Sequence, residues 1–339
     1  MPDVRTTTGN LPPKRAPRTL RPQGVLAVAA ALFLAPLVAS GEAPPSTAEA
    51  PPVLKLYADG MPRGCTDLEF APDGRLFVTG GAGGSGVLYK VAAGGGPAVV
   101  LVDSGLYAPW GLRFGPDGDL YVADRGDPTR PGAGSIVTIP APGQTQLFKR
   151  GLDAPTGIIF DRDGNLYVAL SRQAKVVKIA GDGTLTDYAK GIGAGASEPI
   201  GQLQIDKAGN LYAAAGPSIW KVAPGGRTVS KLIDGGLGQA TGFVGWTGDN
   251  FIVSTNALHE LRIASPAAGV RTLTNVQLPD ACTVGAMPAA ASVSLPMGMR
   301  VFKGSAYVAD QGCRNVRSFE MPSPNKPQPT WGKLETHYR

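Results

Sequence analysis

From Leu54 onward, short apolar runs alternate with breaks rich in Gly, Asp and Pro, and one arrangement of runs and breaks recurs. Its clearest copy is APWGLRFGPDGDLYVAD over Ala108–Asp124: a Pro-x-Gly opening, an apolar run, an Asp-Gly turn and a second apolar run. Ala154–Leu170 (APTGIIFDRDGNLYVAL) and Glu198–Ala214 (EPIGQLQIDKAGNLYAA) repeat it, and weaker copies begin near Cys65, Ala240 and Leu295, which makes six in all. Alternating or clustered apolar positions over so few residues, enriched in β-branched and aromatic side chains, specify strands. The turns fall at Asp73-Gly74, Asp117-Gly118, Asp163-Gly164, Ala208-Gly209 and Lys303-Gly304. Tight hairpins need positive φ, which glycine adopts without steric cost.

Two further strands follow in each copy. The third is marked by YKVA, VKIA, WKVA and LRIA at Tyr89, Val177, Trp220 and Leu261. The fourth is expected at Val99–Val102, Leu147–Lys149, Leu185–Ala189, Val229–Ile233 and Val270–Leu273. The opening glycines Gly111, Gly157, Gly201 and Gly242 recur at intervals of about 41–46 residues. Four antiparallel strands at that period make a propeller blade, and no window sustains the 3.6-residue periodicity of a helical solenoid. The predicted fold is therefore all-β, a six-bladed β-propeller over residues 53–321. The last copy runs into Pro322, Pro324, Pro327 and Pro329 after Val316–Met321 and lacks a fourth strand, while Leu54–Tyr57 is a strand with no blade before it. The expectation is that this N-terminal strand completes the sixth blade and closes the ring, removing two exposed edges.

The ends read differently. Arg5, Lys14, Arg15, Arg18 and Arg21 precede the uncharged apolar run Val25–Ala39, with Val38 and Ser40 as small residues before a cut after Ser40. Residues 1–40 are read as a secretory signal peptide, 41–52 as a Pro-rich linker and 322–339 as an exposed tail. The alternative for the leader is an uncleaved anchor, although its apolar run is shorter than the roughly 20 residues a membrane span needs. No transmembrane segment is expected in the mature chain, and the location is secreted or periplasmic. The leader carries about +4 of the net charge of +6, so the overall basicity does not signal nucleic-acid binding. Of the cysteines Cys65, Cys282 and Cys313, an export compartment allows a disulfide. Cys282–Cys313 is the first expectation and Cys65–Cys313 its competitor.

Blade geometry puts the Asp-Gly hairpins on one face and the Pro-x-Gly openings, with the loops after the second strands, on the other. Ligands of propellers converge on that second face at the channel mouth. The x residues are Trp110, Thr156, Ile200, Thr241 and Met297, with Thr66 in the diverged first copy; behind them come Asp124 and Arg125, Ser171 and Arg172, Asn256, and Asp310 and Gln311. Trp110, Thr156, Ile200 and Met297, with Asp124, Arg125, Asn256 and Asp310, are the candidate ligand-binding residues. The apolar members favour a flat ligand or a protein loop; otherwise they simply plug the channel. Asp124 and Asp310 both end Tyr-Val-Ala-Asp and are the candidate ligands for a divalent cation such as calcium. Otherwise each accepts hydrogen bonds from its own loop.

The phrase P-x-G-φ-x-φ-x-x-x-G-x-φ-Y-V-A-D resembles the NHL-repeat and regucalcin/gluconolactonase-type six-bladed propellers over about residues 53–321. The resemblance implies a lactonase site in which a Glu, two Asn and an Asp hold a divalent metal, the Asn and Asp standing at the x of such openings. Here those openings carry Trp110, Thr156 and Ile200, and Thr66 stands where the Glu is wanted. A lactonase uses the metal as a Lewis acid on the ester carbonyl, and these side chains are not such ligands. The similar streptogramin-lyase branch relies on histidines with a nearby Glu, whereas this chain has only His259 and His337. His259 adjoins Glu260, but neighbouring strand residues point to opposite faces. Two functions remain: a propeller that binds a protein, glycan or small ligand through its channel face, or a lactonase-like hydrolase or lyase rewired around Asp124, Asn256 and Asp310.

Overall fold

The computed structural model describes residues 54–194, 200–246, 248–273 and 295–321. The leader, the linker, the tail and Cys282 lie outside them. The described strands form six sheets: five have four consecutive antiparallel strands, and the sixth joins the last three strands to the first and to a short parallel strand. Blade 1 runs Asp67–Phe70, Leu76–Gly80, Val87–Val91 and Val99–Val102. Blade 2 runs Pro109–Phe114, Leu120–Asp124, Gly134–Ile139 and Gln146–Leu152, and blade 3 Pro155–Phe160, Leu166–Leu170, Lys175–Ile179 and Leu185–Lys190. Blade 4 runs Ile200–Ile205, Leu211–Ala215, Ser218–Val222 and Val229–Ile233; blade 5 runs Ala240–Gly245, Phe251–Thr255, Glu260–Ser265 and Gly269–Thr272. Blade 6 supplies Pro296–Phe302, Ser305–Asp310 and Asn315–Glu320, and its fourth strand is the N-terminal Lys55–Asp59. The pairing is Lys55 with Ser318, Leu56 with Arg317 and Ala58 with Val316, so the strand expected from the sequence does close the ring. It reaches further: Ala58 and Asp59 pair in parallel with Gly96 and Pro97 of blade 1.

Blades pack face to face, so the second strand of a blade is covered on both sides. Leu76–Gly80, Leu120–Asp124, Leu166–Leu170, Leu211–Ala215 and Phe251–Thr255 are buried at every position. Fourth strands lie at the rim and read mostly exposed, as in Gln146–Leu152. The buried apolar side chains fall into six clusters, one between each pair of neighbouring blades. Six blades in an open row would have one interface fewer, so the cluster between blades 6 and 1 is the signature of closure. The N-terminal segment contributes Ala58 and Met61 to that cluster and Leu54 to the one between blades 5 and 6. Tyr57 packs edge-on against Tyr307 of blade 6 and Phe70 of blade 1.

The recurring Asp-x-x-Gly-Asn-Leu-Tyr is a hairpin clasp. In blade 3 the Asp161 carboxylate accepts from the Asn165 backbone N–H at 2.8 Å, from its Nδ2 at 2.8 Å and from the Tyr167 hydroxyl at 3.1 Å. Asp206, Asn210 and Tyr212 repeat this in blade 4. Burial and the neighbouring carboxylate push both hydroxyls up, so they stay protonated donors. The turn glycines Gly74, Gly118, Gly164, Gly209 and Gly304 all have positive φ.

A chain starting at residue 61 loses the closing strand and buried Leu54 and Ala58. It is expected to melt at least about 10 °C below one starting at residue 41, given the several kcal/mol that such burial supplies. Melting within a degree of each other would contradict closure through this strand.

Candidate ligand site at the channel mouth

The inner strands meet around the channel at their opening glycines, and they meet closely. A Cβ on Gly157 would stand 2.3 Å from the Gly201 carbonyl oxygen, and one on Gly201 2.3 Å from that of Thr241. Gly111 and Gly242 face the next blade's backbone at 2.4 Å in the same way. Since the obstacle is backbone, no side chain fits at these four positions. Blade 1 departs from the rule. It carries Asp67 where the other five carry glycine, and a Cβ on Gly298 of blade 6 would stand 2.0 Å from Asp67 Oδ1. The glycine of blade 6 therefore makes room for the carboxylate of blade 1.

That carboxylate organises a buried ion cluster. Arg113 of blade 2 places Nη1 3.2 Å from Asp67 Oδ2, and Arg300 of blade 6 places Nη2 3.1 Å from the same oxygen. Glu69, two residues along blade 1, sits 3.0 Å from Arg300 Nε and 3.6 Å from Arg113 Nη1. Arg113 also donates across the channel to the Leu203 carbonyl of blade 4 at 3.3 Å. Gln202 of blade 4 donates to the Met299 carbonyl at 2.7 Å and accepts from the Phe243 N–H at 2.8 Å, so it ties blades 4, 5 and 6. Burial pushes the Asp67 and Glu69 carboxyls above their usual range, and the Arg300 charge pulls both back. Such a cluster fixes relative positions more than it adds net stability, because desolvation consumes most of the Coulombic gain.

The x residues alternate in role. Blades 1, 3 and 5 carry Thr66, Thr156 and Thr241. Their hydroxyls donate to the main chain of the following blade: Thr66 to Pro109 O at 3.0 Å, Thr156 to Ile200 O and Thr241 to Pro296 O at 2.8 Å. Blades 2, 4 and 6 carry the apolar Trp110, Ile200 and Met297. Thr156 and Ile200 are almost wholly buried, Ile200 within the cluster between blades 3 and 4, and neither faces the mouth. Trp110, half-buried, does; Met297 is buried in the cluster between blades 6 and 1 and reaches only the edge of the channel. With Thr66, Asp67, Gln202 and Thr241 they line a depression with about 10 Å³ of free volume, room for about one water molecule. Asp67 and Gln202 form its floor.

Around the rim, Asp124 is buried and its oxygens are taken by backbone: the Tyr107 and Ala108 N–H groups at 2.7 Å each and Gly126 N–H at 3.2 Å. Asp310 likewise accepts from Leu295 N–H at 3.0 Å and Cys313 N–H at 3.3 Å, with Arg317 Nε 3.6 Å away. Both carboxylates hold the loops that rise beside them. Among the described residues no three His, Cys, Asp or Glu side chains converge. The donors at the positions a lactonase-type metal would use are Thr hydroxyls committed to carbonyls, with Trp110, Ile200 and Met297 between them. This set does not fit a divalent metal. Asn256 directs Nδ2 to Met297 Sδ at 3.0 Å. His259 sits at φ 54° and donates its backbone N–H to Asn256 O, the same turn that Ala174 makes in blade 3 and Arg314 in blade 6. Its position is explained by the turn. Arg125 stacks over Trp110, with Cζ 4.7 Å from the ring centroid. Cys65 is a free, buried thiol that donates to Asn315 O at 3.2 Å, which removes the Cys65–Cys313 alternative. Burial, with the Asp310 charge nearby, pushes that thiol well above its usual range and leaves it a poor nucleophile.

Sequence reasoning missed Asp67, Glu69, Arg113, Gln202 and Arg300. One signal was present: Asp67 breaks the glycine register, and Arg113 and Arg300 each stand two residues after an opening glycine.

The fold is shared with solved six-bladed propellers. An auxiliary nutrient binding protein from Bacteroides ovatus superposes with a TM-score of 0.62 at 12% identity, over 80% of this chain and 77% of that one. A gluconolactonase from Xanthomonas campestris gives 0.60 at 13% identity, over 80% and 95%. A catalytically inactive virginiamycin B lyase from Staphylococcus aureus with quinupristin gives 0.53 at 13% identity, over 76% and 80%. No protein-family model matches the sequence, and no curated protein matches it. At these identities the likeness is one of fold.

Removing Asp67 leaves two guanidinium groups buried without their main partner. Asp67→Ala is expected to lower unfolding free energy by about 3–5 kcal/mol in urea titration. Gly201→Ala forces a methyl against a carbonyl and should cost at least about 2 kcal/mol. A loss below about 0.5 kcal/mol in either variant would mean the ring is looser than described.

Proposed function

We propose that this chain is an extracytoplasmic propeller that binds a protein, glycan or small ligand at its channel mouth and catalyses no lactone or ester hydrolysis there. The observation that carries the reading is the channel floor. Asp67, Glu69, Arg113, Arg300 and Gln202 satisfy one another and close the channel at the glycine ring, so little depth remains for a substrate to enter. What the mouth offers instead is surface: half-buried Trp110 with Arg125 upon it. Half-exposed Trp and Arg are the side chains that most often anchor a partner.

The neighbours in fold support both a binding and a catalytic history, since the Bacteroides protein is described as nutrient binding and the Xanthomonas protein as a gluconolactonase. The donor set favours the former. In the same reading residues 1–40 direct export and are removed, and residues 41–52 precede the closing strand as a linker. Cys282 pairs with Cys313, bracing the loop ahead of blade 6 in an oxidising compartment. No helix among the described residues is long and apolar enough to cross a membrane.

Hydrolysis tests the reading directly. Purified mature chain, assayed on a lactone and aryl-ester panel with calcium and with EDTA, is expected to give no turnover above the buffer rate in either condition. EDTA-sensitive turnover that falls in Asp124→Asn or Asp310→Asn would replace the binding function with a metal-dependent one. Non-reducing peptide mapping should recover a Cys282–Cys313 peptide and an alkylated Cys65.

A further inference from the structure

The ligand class can be narrowed, resting on the binding function just proposed. Arg125 is unusual among the arginines near the channel. Arg113 and Arg300 face Asp67 and Glu69, and Arg317 faces Asp310. Arg172 is held by Asp153 at 3.3 Å and by the Pro128 carbonyl. Arg125 has its main chain fixed, its N–H donating to Ala108 O at 3.1 Å, yet among the described residues its guanidinium meets no carboxylate and no carbonyl. Its one contact of note is the Trp110 ring. A guanidinium presents five donors in a fixed fork, and those of Arg125, a half-buried residue, are not among the buried nitrogens without a partner, so they are open to solvent and to a ligand. Partial burial first, then the Arg172 charge, pull the Arg125 group below its usual range.

A guanidinium laid on an indole, with no carboxylate or carbonyl to meet it, makes a place for an anion. We propose that the channel mouth binds a small planar ligand carrying an oxyanion, with Arg125, lying on the Trp110 ring, as the bidentate partner of the carboxylate or phosphate and the exposed part of Trp110 as the apolar contact for the planar body. Asp124 keeps Arg125 in place through the amides of Tyr107, Ala108 and Gly126, and so has a role at this site without touching the ligand. The geometry suits either oxyanion, because both match the guanidinium fork.

Isothermal titration calorimetry on the full mature chain tests this with three probes of one shape: naphthoate, naphthyl phosphate and uncharged naphthylmethanol. At least one anion is expected to bind about tenfold or more tightly than naphthylmethanol, the worth of one charge-assisted pair. Arg125→Gln should erase that advantage and Arg125→Lys should keep part of it, while Trp110→Leu weakens all three probes. The preferred anion identifies the oxyanion. Melting temperatures within a degree or two of the parent confirm that the variants are folded. Equal affinity for all three probes, lost in Trp110→Leu, overturns the anion site and leaves a neutral binding mouth. Anion binding unchanged in Arg125→Gln, or no binding of any probe, also overturns it, and neither result bears on the hydrolysis assay.

Discussion

Six backbones must pass through one narrow ring, and much else in the molecule follows from that crowding. Five blades solve it with glycine at the point of closest approach, where even a methyl would strike a neighbour's main chain. The sixth solves it with Asp67, whose carboxylate fills the space that remains and draws Arg113 and Arg300 inward from the two flanking blades. The same residue therefore sets the register of three blades and stops the channel. Elsewhere in the ring the threonine hydroxyls of alternate blades do a lighter version of the task, each reaching the next blade's carbonyl.

Closure by the N-terminal strand and closure by the ion cluster are complementary. The strand zips the rim of blade 6 through backbone hydrogen bonds and buried Leu54 and Ala58. The cluster locks the hub, where blade 1 meets both of its neighbours. A rim held alone would let the inner strands rotate, and a hub held alone would leave blade 6 with an open edge. With the hub sealed, specificity is left to the mouth. There only a few residues are free of structural duty, Trp110 and Arg125 foremost among them.

The architecture was legible because a propeller repeats its demands. The same turn, the same alternation and the same strand lengths recur, so six weak signals reinforce one another, and the missing last strand could be matched to the surplus first one. The fourth strands differ from expectation only at their ends, as with Gln146–Leu152 against Leu147–Lys149. The site was harder to read for the converse reason. The x residues looked like a ligand ring, and the structure divides them between blade-to-blade hydroxyls, core side chains and Trp110 at the mouth. Asp124 and Asp310 ended their strands as metal ligands do, yet backbone amides draw on both. In the channel cluster Asp67 lies 46 residues from Arg113 and 233 from Arg300, and no local pattern announces that they will meet. What the sequence did contain was the exception: one aspartate in a column of glycines.

A double-mutant cycle on that pair is the most direct test. Unfolding free energies of the parent, Asp67→Ala, Arg300→Met and the double variant give the coupling between hub carboxylate and hub guanidinium. If Asp67 is the organiser of a closed channel, the double variant should be more stable than the two single losses predict by at least about 1 kcal/mol, because removing both charges spares the cost of burying either alone. Additive losses would contradict it: the two side chains would then be neighbours without being partners, and the channel floor would owe its closure to something else.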